Sequence, residues 1–163
     1  MTTSTPSASS DPIADAVTFV DTNVLIYAYD ASETIKQPIA QTVLEGLWSS
    51  GRGVVSTQIL QEFYAVAISK LKPPMSPGEA REIVSLYSTW TVVLIEPSLI
   101  LTASRLQEQH RLSFWDALVV EAARVAGAER LLTEDLNDGQ EFGTVRVEDP
   151  FRSKSPTPGT PAT

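Results

Sequence analysis

The chain alternates between short apolar runs and longer stretches in which apolar residues recur at helical spacing. The first run covers residues 17–20 and stops at Asp21, and similar runs occur at Val54-Val55, at residues 92–95 and at Leu131-Leu132. A short run that is apolar at consecutive positions is typical of a strand buried on both faces of a parallel sheet. The pattern therefore predicts four strands with helices between them.

Helices are predicted from the apolar spacing and from start and stop signals. Gly51 ends one predicted helix, Pro73-Pro74 ends the next, and Pro77 suits the first turn of the one that follows. Together these signals place the helices at residues 24–29, 39–51, 58–71, 77–87, 99–110 and from residue 113 onward.

The last part of the folded region completes the predicted architecture. Asn137-Asp138-Gly139 predicts a turn, and Val145-Arg146-Val147 alternates as an edge strand does. Strands that alternate with helices predict a three-layer αβα fold around a central, mostly parallel sheet of four to five strands. Residues 1–16 and 152–163 lack apolar periodicity, so we expect disordered tails around one domain at 17–151.

Composition restricts the chemistry that this domain can perform. The 163 residues include no cysteine and one histidine, His110, which excludes disulfides, thiolate metal sites and multi-histidine zinc sites. Any metal must then be held by oxygen. No apolar run approaches the roughly 18 residues of a membrane-spanning helix, and the first residues do not resemble a signal peptide. We therefore expect a cytoplasmic protein without a membrane segment.

The net charge of −8 bears on possible partners. A basic surface is the usual sign of phosphate contact, so an acidic chain argues against a nucleic-acid partner. Bound cations or local basic groups would be needed to reverse the field.

Two carboxylates follow predicted buried strands. Asp21 comes directly after the first run, and Asp135 follows Leu131-Leu132 after two further residues. The carboxyl ends of parallel strands form the crevice in which open α/β sheets bind ligands, so both acids are placed for chemistry. Each also has a structural explanation, Asp21 as a helix N-cap and Asp135 as a turn residue.

Two more carboxylates lie in predicted apolar helices. Glu62 has Gln58 and Val66 as its helical neighbours, so no basic partner is available at that spacing. Asp116 follows Ser113 by three residues, which resembles a capping box, yet the surrounding apolar residues predict that this helix end is buried. An exposed polar edge would explain Glu62, and a cap would explain Asp116, without any function.

If the four acids converge, they require a cation. Two carboxylates about 4 Å apart repel by roughly 4 kcal/mol at an effective dielectric near 20. Hard oxygen ligands select Mg²⁺ or Mn²⁺, which bridge phosphate oxygens and would make an acidic crevice attractive to a phosphodiester.

Four segments around these acids resemble the motifs of PIN-domain ribonucleases, in particular VapC-type toxins. The segments are Phe19-Val20-Asp21-Thr22-Asn23-Val24-Leu25, Gln58-Ile59-Leu60-Gln61-Glu62-Phe63, Ser113-Phe114-Trp115-Asp116-Ala117-Leu118 and Leu132-Thr133-Glu134-Asp135. The resemblance covers about residues 17–149 and rests on the order of all four motifs. The metal ligands that it implies are Asp21, Glu62, Asp116 and Asp135, and the residues that it implies orient them are Thr22, Asn23 and Thr133.

The resemblance implies an Mg²⁺- or Mn²⁺-dependent endoribonuclease, the toxin of a toxin-antitoxin pair. In such an enzyme the carboxylates hold one or two cations, lower the pKa of a bound water and stabilise charge during in-line attack on phosphorus. It also implies a cognate antitoxin that docks over the crevice, an RNA substrate and a homodimer or larger assembly.

Two other functions fit the same residues. One is a non-catalytic interaction module on this scaffold, with acids that serve only as caps and turns. The other is a metal-dependent DNA nuclease or phosphatase, because phosphodiester chemistry does not identify the ribose.

Basic and aromatic residues leave the mode of RNA contact open. The candidate basic contacts are Lys70, Lys72, Arg105, Arg111 and Arg124. Exposed bases are, however, typical of any protein surface. The tryptophans at 48, 90 and 115 could stack on bases, although aromatic residues inside apolar runs are more typical of a core.

Overall fold

The computed structural model of the protein describes residues 15–153. Its helices are α1 (Thr22–Tyr29), α2 (Lys36–Ser50), α3 (Thr57–Ser69), α4 (Pro77–Tyr87), α5 (Pro97–His110) and α6 (Phe114–Val125). Its strands are β1 (Thr18–Val20), β2 (Gly53–Ser56), β3 (Thr91–Val93), β4 (Arg130–Leu132), β5 (Glu141–Phe142) and β6 (Val145–Glu148). The predicted tails lie almost entirely outside the described residues.

The strands form one sheet in the order β3-β2-β1-β4-β6-β5. All neighbouring pairs are parallel except β5 and β6, which are antiparallel. The predicted three-layer α/β architecture around a mostly parallel sheet is therefore confirmed, with six strands rather than four to five. Within residues 15–153, no helix has the length and apolar character needed to cross a bilayer.

The interpretation of residues 145–147 as an edge strand is wrong. β6 lies between β4 and β5, and its outer side is covered by the two-residue strand β5. Val145 and Val147 are buried while Arg146 is exposed, which explains the alternation. The edge strand β5 has only two residues, which is too short to show a periodicity in the sequence. The sequence therefore indicated β6 as the edge of the sheet.

The order of the strands reverses at β1. The chain leaves β1 to form β2 and β3 on one side, and β4 and β6 are added on the other. The carboxyl ends of β1 and β4 are neighbours, since Val20 is paired with Leu132. In open α/β sheets ligands bind at such a switch point, and Asp21 follows β1 immediately at this place.

The start of α6 is more exposed than its apolar sequence predicts. Ala117 to Val120 are buried, in agreement with the pattern, but Trp115 is 62% exposed. Trp48 and Trp90 behave differently, because Trp48 packs against Trp90 and both pack against Tyr87. The expectation of a core role is therefore wrong for Trp115.

Candidate acidic active site

Asp21 is the central carboxylate at the switch point. Its side chain is only 5% exposed, and its Oδ1 accepts a hydrogen bond of 2.7 Å from the backbone N–H of Thr22. It is therefore the N-cap of α1, as its structural explanation predicted. Its Oδ2 accepts a second bond of 2.7 Å from the hydroxyl of Thr133, 112 residues further along the chain. Asp21 can therefore cap α1 with one carboxylate oxygen while its other oxygen takes part in a functional site.

The hydroxyl of Thr133 connects Asp21 with Asp135. Because this hydroxyl donates to Asp21, its oxygen accepts from the Asp135 backbone N–H at 3.0 Å and from Asn23 Nδ2 at 3.4 Å. Asn23 Nδ2 also donates to Asp135 Oδ2 at 3.1 Å. Residues from the ends of β1 and β4 are thereby held together in one network.

Glu62 is oriented by two donors from different helices. The hydroxyl of Thr22 donates to its Oε2 at 2.7 Å, and Gln58 Nε2 donates to its Oε1 at 3.0 Å. The Glu62 side chain is therefore satisfied by neutral groups rather than by a base. The explanation of Glu62 as a solvent-exposed polar edge does not account for these bonds.

Asp116 is half-buried at the start of α6. The Ser113 side chain accepts from the Asp116 backbone N–H at 3.1 Å, so Ser113 is the N-cap of the helix. Among residues 15–153 the reciprocal bond, from the Ser113 N–H to the Asp116 carboxylate, is not formed, and the capping box is incomplete. The carboxylate of Asp116 is left for another role.

The four carboxylates act on one another electrostatically, and we call them the acid pocket (Asp21, Glu62, Asp116 and Asp135). The pKa of Asp21 is raised from 3.8 to about 7, mainly by burial; the hydrogen bonds from Thr133 and Thr22 oppose this rise, and the charges of Asp135 and Glu62 add to it. Burial also raises the pKa of Asp135, with Asp116, Glu134 and Glu62 acting in the same direction. The charged forms of Asp21 and Asp135 are therefore disfavoured by burial and by the neighbouring carboxylates.

Within residues 15–153, no basic side chain forms an ion pair with a carboxylate of the acid pocket. The ion pairs within residues 15–153 join Lys36 with Glu134, Arg124 with Glu121, and Arg130 with Glu148, and none of them includes a pocket carboxylate. Two amide oxygens in this region, Asn23 Oδ1 and Gln58 Oε1, are also buried without a donor in the described part of the chain. The pocket thus needs positive charge and hydrogen-bond donors.

These residues fit a hydrated divalent cation. As the side chains stand, no group of three or more His, Cys, Asp or Glu side chains within residues 15–153 is arranged to hold a metal ion. Mg²⁺, however, keeps several waters and is commonly bound through only one or two carboxylates. A hydrated cation would supply the missing charge, and its water protons would supply donors for the two amide oxygens. The identity of the ligands stays a prediction.

Sequence reasoning missed Gln58 as part of the site. Its amide orientation is fixed by chemistry, because the Glu62 carboxylate and the Trp115 carbonyl, at 3.0 Å and 3.4 Å, can only accept. Gln58 is four residues before Glu62, and amide-carboxylate pairs at this spacing occur on helices. A search for uncharged as well as basic partners at that position would have found it.

A second missed feature flanks the acid pocket. The carboxylate of Glu134 accepts from the Tyr27 hydroxyl and from Lys36 Nζ, the latter at 2.9 Å. Lys36 also lies over the rings of Tyr27 and Phe151, 4.5 Å and 5.6 Å from their centres. Glu134 is therefore neutralised, whereas the next residue, Asp135, is not. Lys36 and Glu134 are 98 positions apart in the sequence, so no local pattern indicates this pair.

The role of Asp138, left open by the sequence, is structural. Its Oδ1 accepts from the Asp149 backbone N–H at 2.9 Å, which ties the predicted turn to the residue after β6. Asp138 is exposed and takes no part in the network around Asp21.

The fold and the site define a class of α/β protein with an acid pocket at the switch point of a mostly parallel sheet. The sequence model of the PIN domain matches residues 18–138, which is most of the chain. The protein therefore belongs to the PIN domain family, and the resemblance identified in its motifs is confirmed.

Solved structures share this fold at low sequence identity. A toxin-antitoxin complex from Klebsiella pneumoniae is 20% identical with a TM-score of 0.61, over 78% of this chain and 94% of that chain. Mycobacterium tuberculosis VapC20, a Sarcin-Ricin loop cleaving toxin, is 19% identical with a TM-score of 0.55, over 70% and 86%. VapBC2 from Rickettsia felis, bound to a DNA fragment from its promoter, is 16% identical with a TM-score of 0.55, over 80% and 96%. No curated protein matches the sequence.

Proposed function

We propose that the protein is a divalent-metal-dependent endoribonuclease whose catalytic and metal-binding residues are Asp21, Glu62, Asp116 and Asp135. The observation that carries this proposal is the buried Asp21 carboxyl, whose pKa is raised to about 7 at the sheet switch point of a PIN domain. A pocket with this electrostatic imbalance and only oxygen donors is suited to Mg²⁺ or Mn²⁺.

The residues of the chain have distinct parts in this proposal. Asp21 and Asp116 would hold the ion, and Glu62 and Asp135 would complete its surroundings or orient a water molecule. A bound divalent cation lowers the pKa of a coordinated water and stabilises charge on the phosphoryl oxygens. The donors from Thr22, Asn23, Gln58 and Thr133 orient the carboxylates of Asp21, Glu62 and Asp135, so that little reorganisation of these three would be needed during the reaction.

The substitution Asp21→Asn tests the site. It keeps the size of the side chain but removes the charge, so Mg²⁺- or Mn²⁺-dependent RNA cleavage should be abolished while circular dichroism stays unchanged. Asp138→Asn is the matched control, because Asp138 is an exposed acid outside the pocket. Cleavage by Asp21→Asn at the wild-type rate in a clean preparation would refute the proposed site.

The ribose specificity is tested with oligonucleotides of one sequence. The related VapC20 is a Sarcin-Ricin loop cleaving toxin, which supports RNA as the substrate here. We expect metal-dependent cleavage of the RNA strand and not of the corresponding DNA strand. Equal cleavage of both would favour a general phosphodiesterase or DNA nuclease.

We also propose that the protein is the toxin of a toxin-antitoxin pair. Two of the structural neighbours are complexes of this kind, which supports an antitoxin partner. An open groove of about 720 Å³ between α3 and α4, with Leu60, Tyr64 and Val84 in its wall, would receive an apolar segment of that partner. Co-expression with the neighbouring small gene product should then yield a stable complex.

Substitutions in the groove test this surface. Leu60→Asp would place a charge against the apolar segment and should weaken the complex. Leu86→Asp, on the exposed side of α4 and outside the groove, should leave it intact. Equal affinity for both variants would exclude the groove, and failure to obtain any complex would remove the support for a toxin.

We further propose a cytoplasmic homodimer. The exposed Leu94 and Val125 border a shallow cleft of about 230 Å³ beside the edge strand β3, where a second copy would cover them. Light scattering should give the mass of a dimer for the wild type and of a monomer for Val125→Asp. A monomeric wild type at micromolar concentration would contradict this assembly.

The second candidate function is a non-catalytic interaction module. It is favoured by the N-cap role of Asp21 and by the lack of a preformed metal cage within residues 15–153. Thermal unfolding with and without Mn²⁺ separates the two, because a ligand stabilises only the state that binds it. In the nuclease, Asp116→Asn loses the Mn²⁺-linked rise in Tm that Asp138→Asn retains, whereas in a module neither variant nor the wild type shows such a rise.

A further inference from the structure

Trp115 has an unusual position for a large aromatic residue. Its side chain is 62% exposed, although it directly precedes the pocket residue Asp116. Its ring makes an edge-to-face contact with that of Phe114, with 5.4 Å between the ring centres, and such a contact covers at most one face of the indole. An exposed indole is costly in water, and a partner that covers it would recover part of that cost.

The backbone of Trp115 is tied to the acid pocket. Its carbonyl accepts a hydrogen bond of 3.4 Å from Gln58 Nε2, and the same nitrogen donates to Glu62 at 3.0 Å. One amide group therefore joins the main chain of Trp115 to a pocket carboxylate. This bond and the first turn of α6 fix the point from which the indole projects beside the pocket.

Because the chain is acidic, binding of a nucleic acid is helped by contacts that do not involve charged groups. The chain carries a net charge of −8, and no ion pair within residues 15–153 brings a base to a pocket carboxylate. Phosphate contacts by Lys and Arg supply most of the affinity of ordinary nucleic-acid binders. A nuclease with this charge distribution gains affinity from contacts that do not depend on charge, and stacking of a base on an aromatic side chain contributes about 1–3 kcal/mol, a factor of roughly 5 to 150 in Kd.

We propose that Trp115 is a stacking platform that holds an unpaired nucleobase next to the phosphodiester in the acid pocket. The inference rests on the proposed function, since it takes a single-stranded nucleic acid as the ligand. Stacking requires a free aromatic face and tolerates any base. The platform therefore selects single-stranded segments over duplexes and contributes little sequence preference.

The other tryptophans do not provide such a platform. Trp48 is 37% exposed, but its ring lies 5.3 Å from that of Tyr87 and 5.1 Å from that of Trp90. Trp90 is half-buried in the same group. These rings stabilise the contact between α2, α4 and the strand β3 that follows Trp90.

The test measures binding of a dye-labelled single-stranded RNA octamer to the full chain by fluorescence anisotropy. All proteins carry Asp21→Asn and are measured in Mn²⁺, with a gel to verify that the octamer is intact. Trp115→Ala should raise Kd roughly 5- to 150-fold, the range found when a stacking aromatic is removed. Trp115→Phe should raise Kd by less than about 5-fold, because it keeps an aromatic face.

The controls distinguish stacking from general apolar contact. Leu86→Ala removes another exposed apolar side chain and should leave Kd unchanged. Trp115→Leu, which is apolar but not aromatic, should behave as Trp115→Ala. A DNA octamer should lose affinity to the same extent as RNA, and a duplex or an octamer of abasic sites should not respond to Trp115→Ala.

Several results would overturn the proposal. They are an unchanged Kd for Trp115→Ala, full affinity in Trp115→Leu, or loss of antitoxin binding without loss of octamer binding, which would make Trp115 a protein contact. Since Trp115 is exposed, an unchanged Tm verifies that each variant is folded. Failure of the proposed function would show separately, as the absence of cleavage by the wild type while Trp115→Ala still weakens octamer binding.

Discussion

At the scale of single residues, the clearest feature is the energetic cost of Asp21. A carboxylate in a nearly closed site, next to two other acids, is disfavoured in its charged form, and its pKa is raised from 3.8 to about 7. Natural proteins retain such groups mainly at functional sites. In the proposed function, a bound cation would restore the stability that Asp21 costs, which would link the fold to the activity.

The raised pKa of Asp21 predicts how the free energy of unfolding depends on pH when EDTA keeps divalent cations from the protein. Between pH 4 and 7 the folded state retains a proton on Asp21 that the unfolded state has lost. The contribution of Asp21 to the free energy of unfolding should therefore be greatest below pH 4, fall as the pH rises through this window by an amount on the order of a few kcal/mol, and level off above pH 7. Urea unfolding at a series of pH values measures it.

The variant Asp21→Asn isolates this contribution, because other groups titrate in both proteins. The difference in unfolding free energy between wild type and variant should change with pH over the same window and be constant above it. Addition of Mn²⁺ should remove the fall in the wild type. A difference that does not depend on pH would show that Asp21 is not desolvated in solution.

Gln58 leads to a second prediction at this scale. Gln58→Met keeps the size of the side chain but removes the donor to Glu62 and the bond to the Trp115 carbonyl. A hydrogen bond to a charged group contributes about 1.5–3 kcal/mol, and loss of the unpaired Oε1 offsets part of this, so we expect a net cost of about 1 kcal/mol. Gln61→Met, on the exposed side of the same helix, should have no effect. Equal urea midpoints would contradict a positioning role for Gln58.

The residue pattern predicted the acids of the pocket, whereas Thr22, Asn23 and Thr133 were predicted as orienting residues only through the resemblance to a known family, and Gln58 was not predicted. Asp21 and Asp135 were found because a carboxylate after a buried strand is a local pattern. The donors come from distant positions, such as Thr133 to Asp21 and Thr22 to Glu62, 112 and 40 residues apart. No periodicity records such pairs, because they depend on the order in which the strands are placed in the sheet.

At the scale of elements, the helices and parallel strands were predicted well and the failures have physical causes. Buried strands and amphipathic helices differ in period, and Gly51 and Pro77 mark boundaries that the structure confirms in α2 and α4. β5 was missed because two residues have no period. The exposure of Trp115 was missed because an apolar sequence does not show whether the first turn of a helix is covered by other elements of the fold.

Substitution by alanine is expected to have opposite effects on stability at two glycines, one in a strand and one in a helix. A Cβ at Gly53, in β2, would lie 2.4 Å from the Trp90 ring, which cannot move without disturbing its contacts with Trp48 and Tyr87. Gly53→Ala should therefore destabilise the fold by about 1–3 kcal/mol. A Cβ at Gly46, within α2, would meet no atom within 4 Å, and Gly46→Ala should stabilise the fold by up to about 1 kcal/mol. Shifts of Tm in the same direction for both variants would contradict this packing.

At the scale of the whole molecule, charge and topology act together. The reversal of strand order brings the ends of β1 and β4 side by side, which concentrates negative charge at one edge of a chain whose net charge is already −8. Such a surface repels a polyanion over about 30 Å in 0.01 M salt and over about 10 Å in 0.1 M salt. Under the proposals made above, cations at the acid pocket and an uncharged contact at Trp115 would offset this repulsion locally.

The salt dependence of RNA binding therefore tests the whole arrangement. For single strands the slope of log K against log salt is about −0.7 for each neutralised phosphate, so a typical basic binder with six to ten contacts shows a steep slope. This protein should show a slope shallower than about −2 at constant Mn²⁺, because few phosphates meet a base. Trp115→Ala should lower K at every salt concentration without altering the slope, since stacking releases no counterions. A steep slope, or a slope changed by removal of the indole, would mean that basic side chains bind the RNA instead.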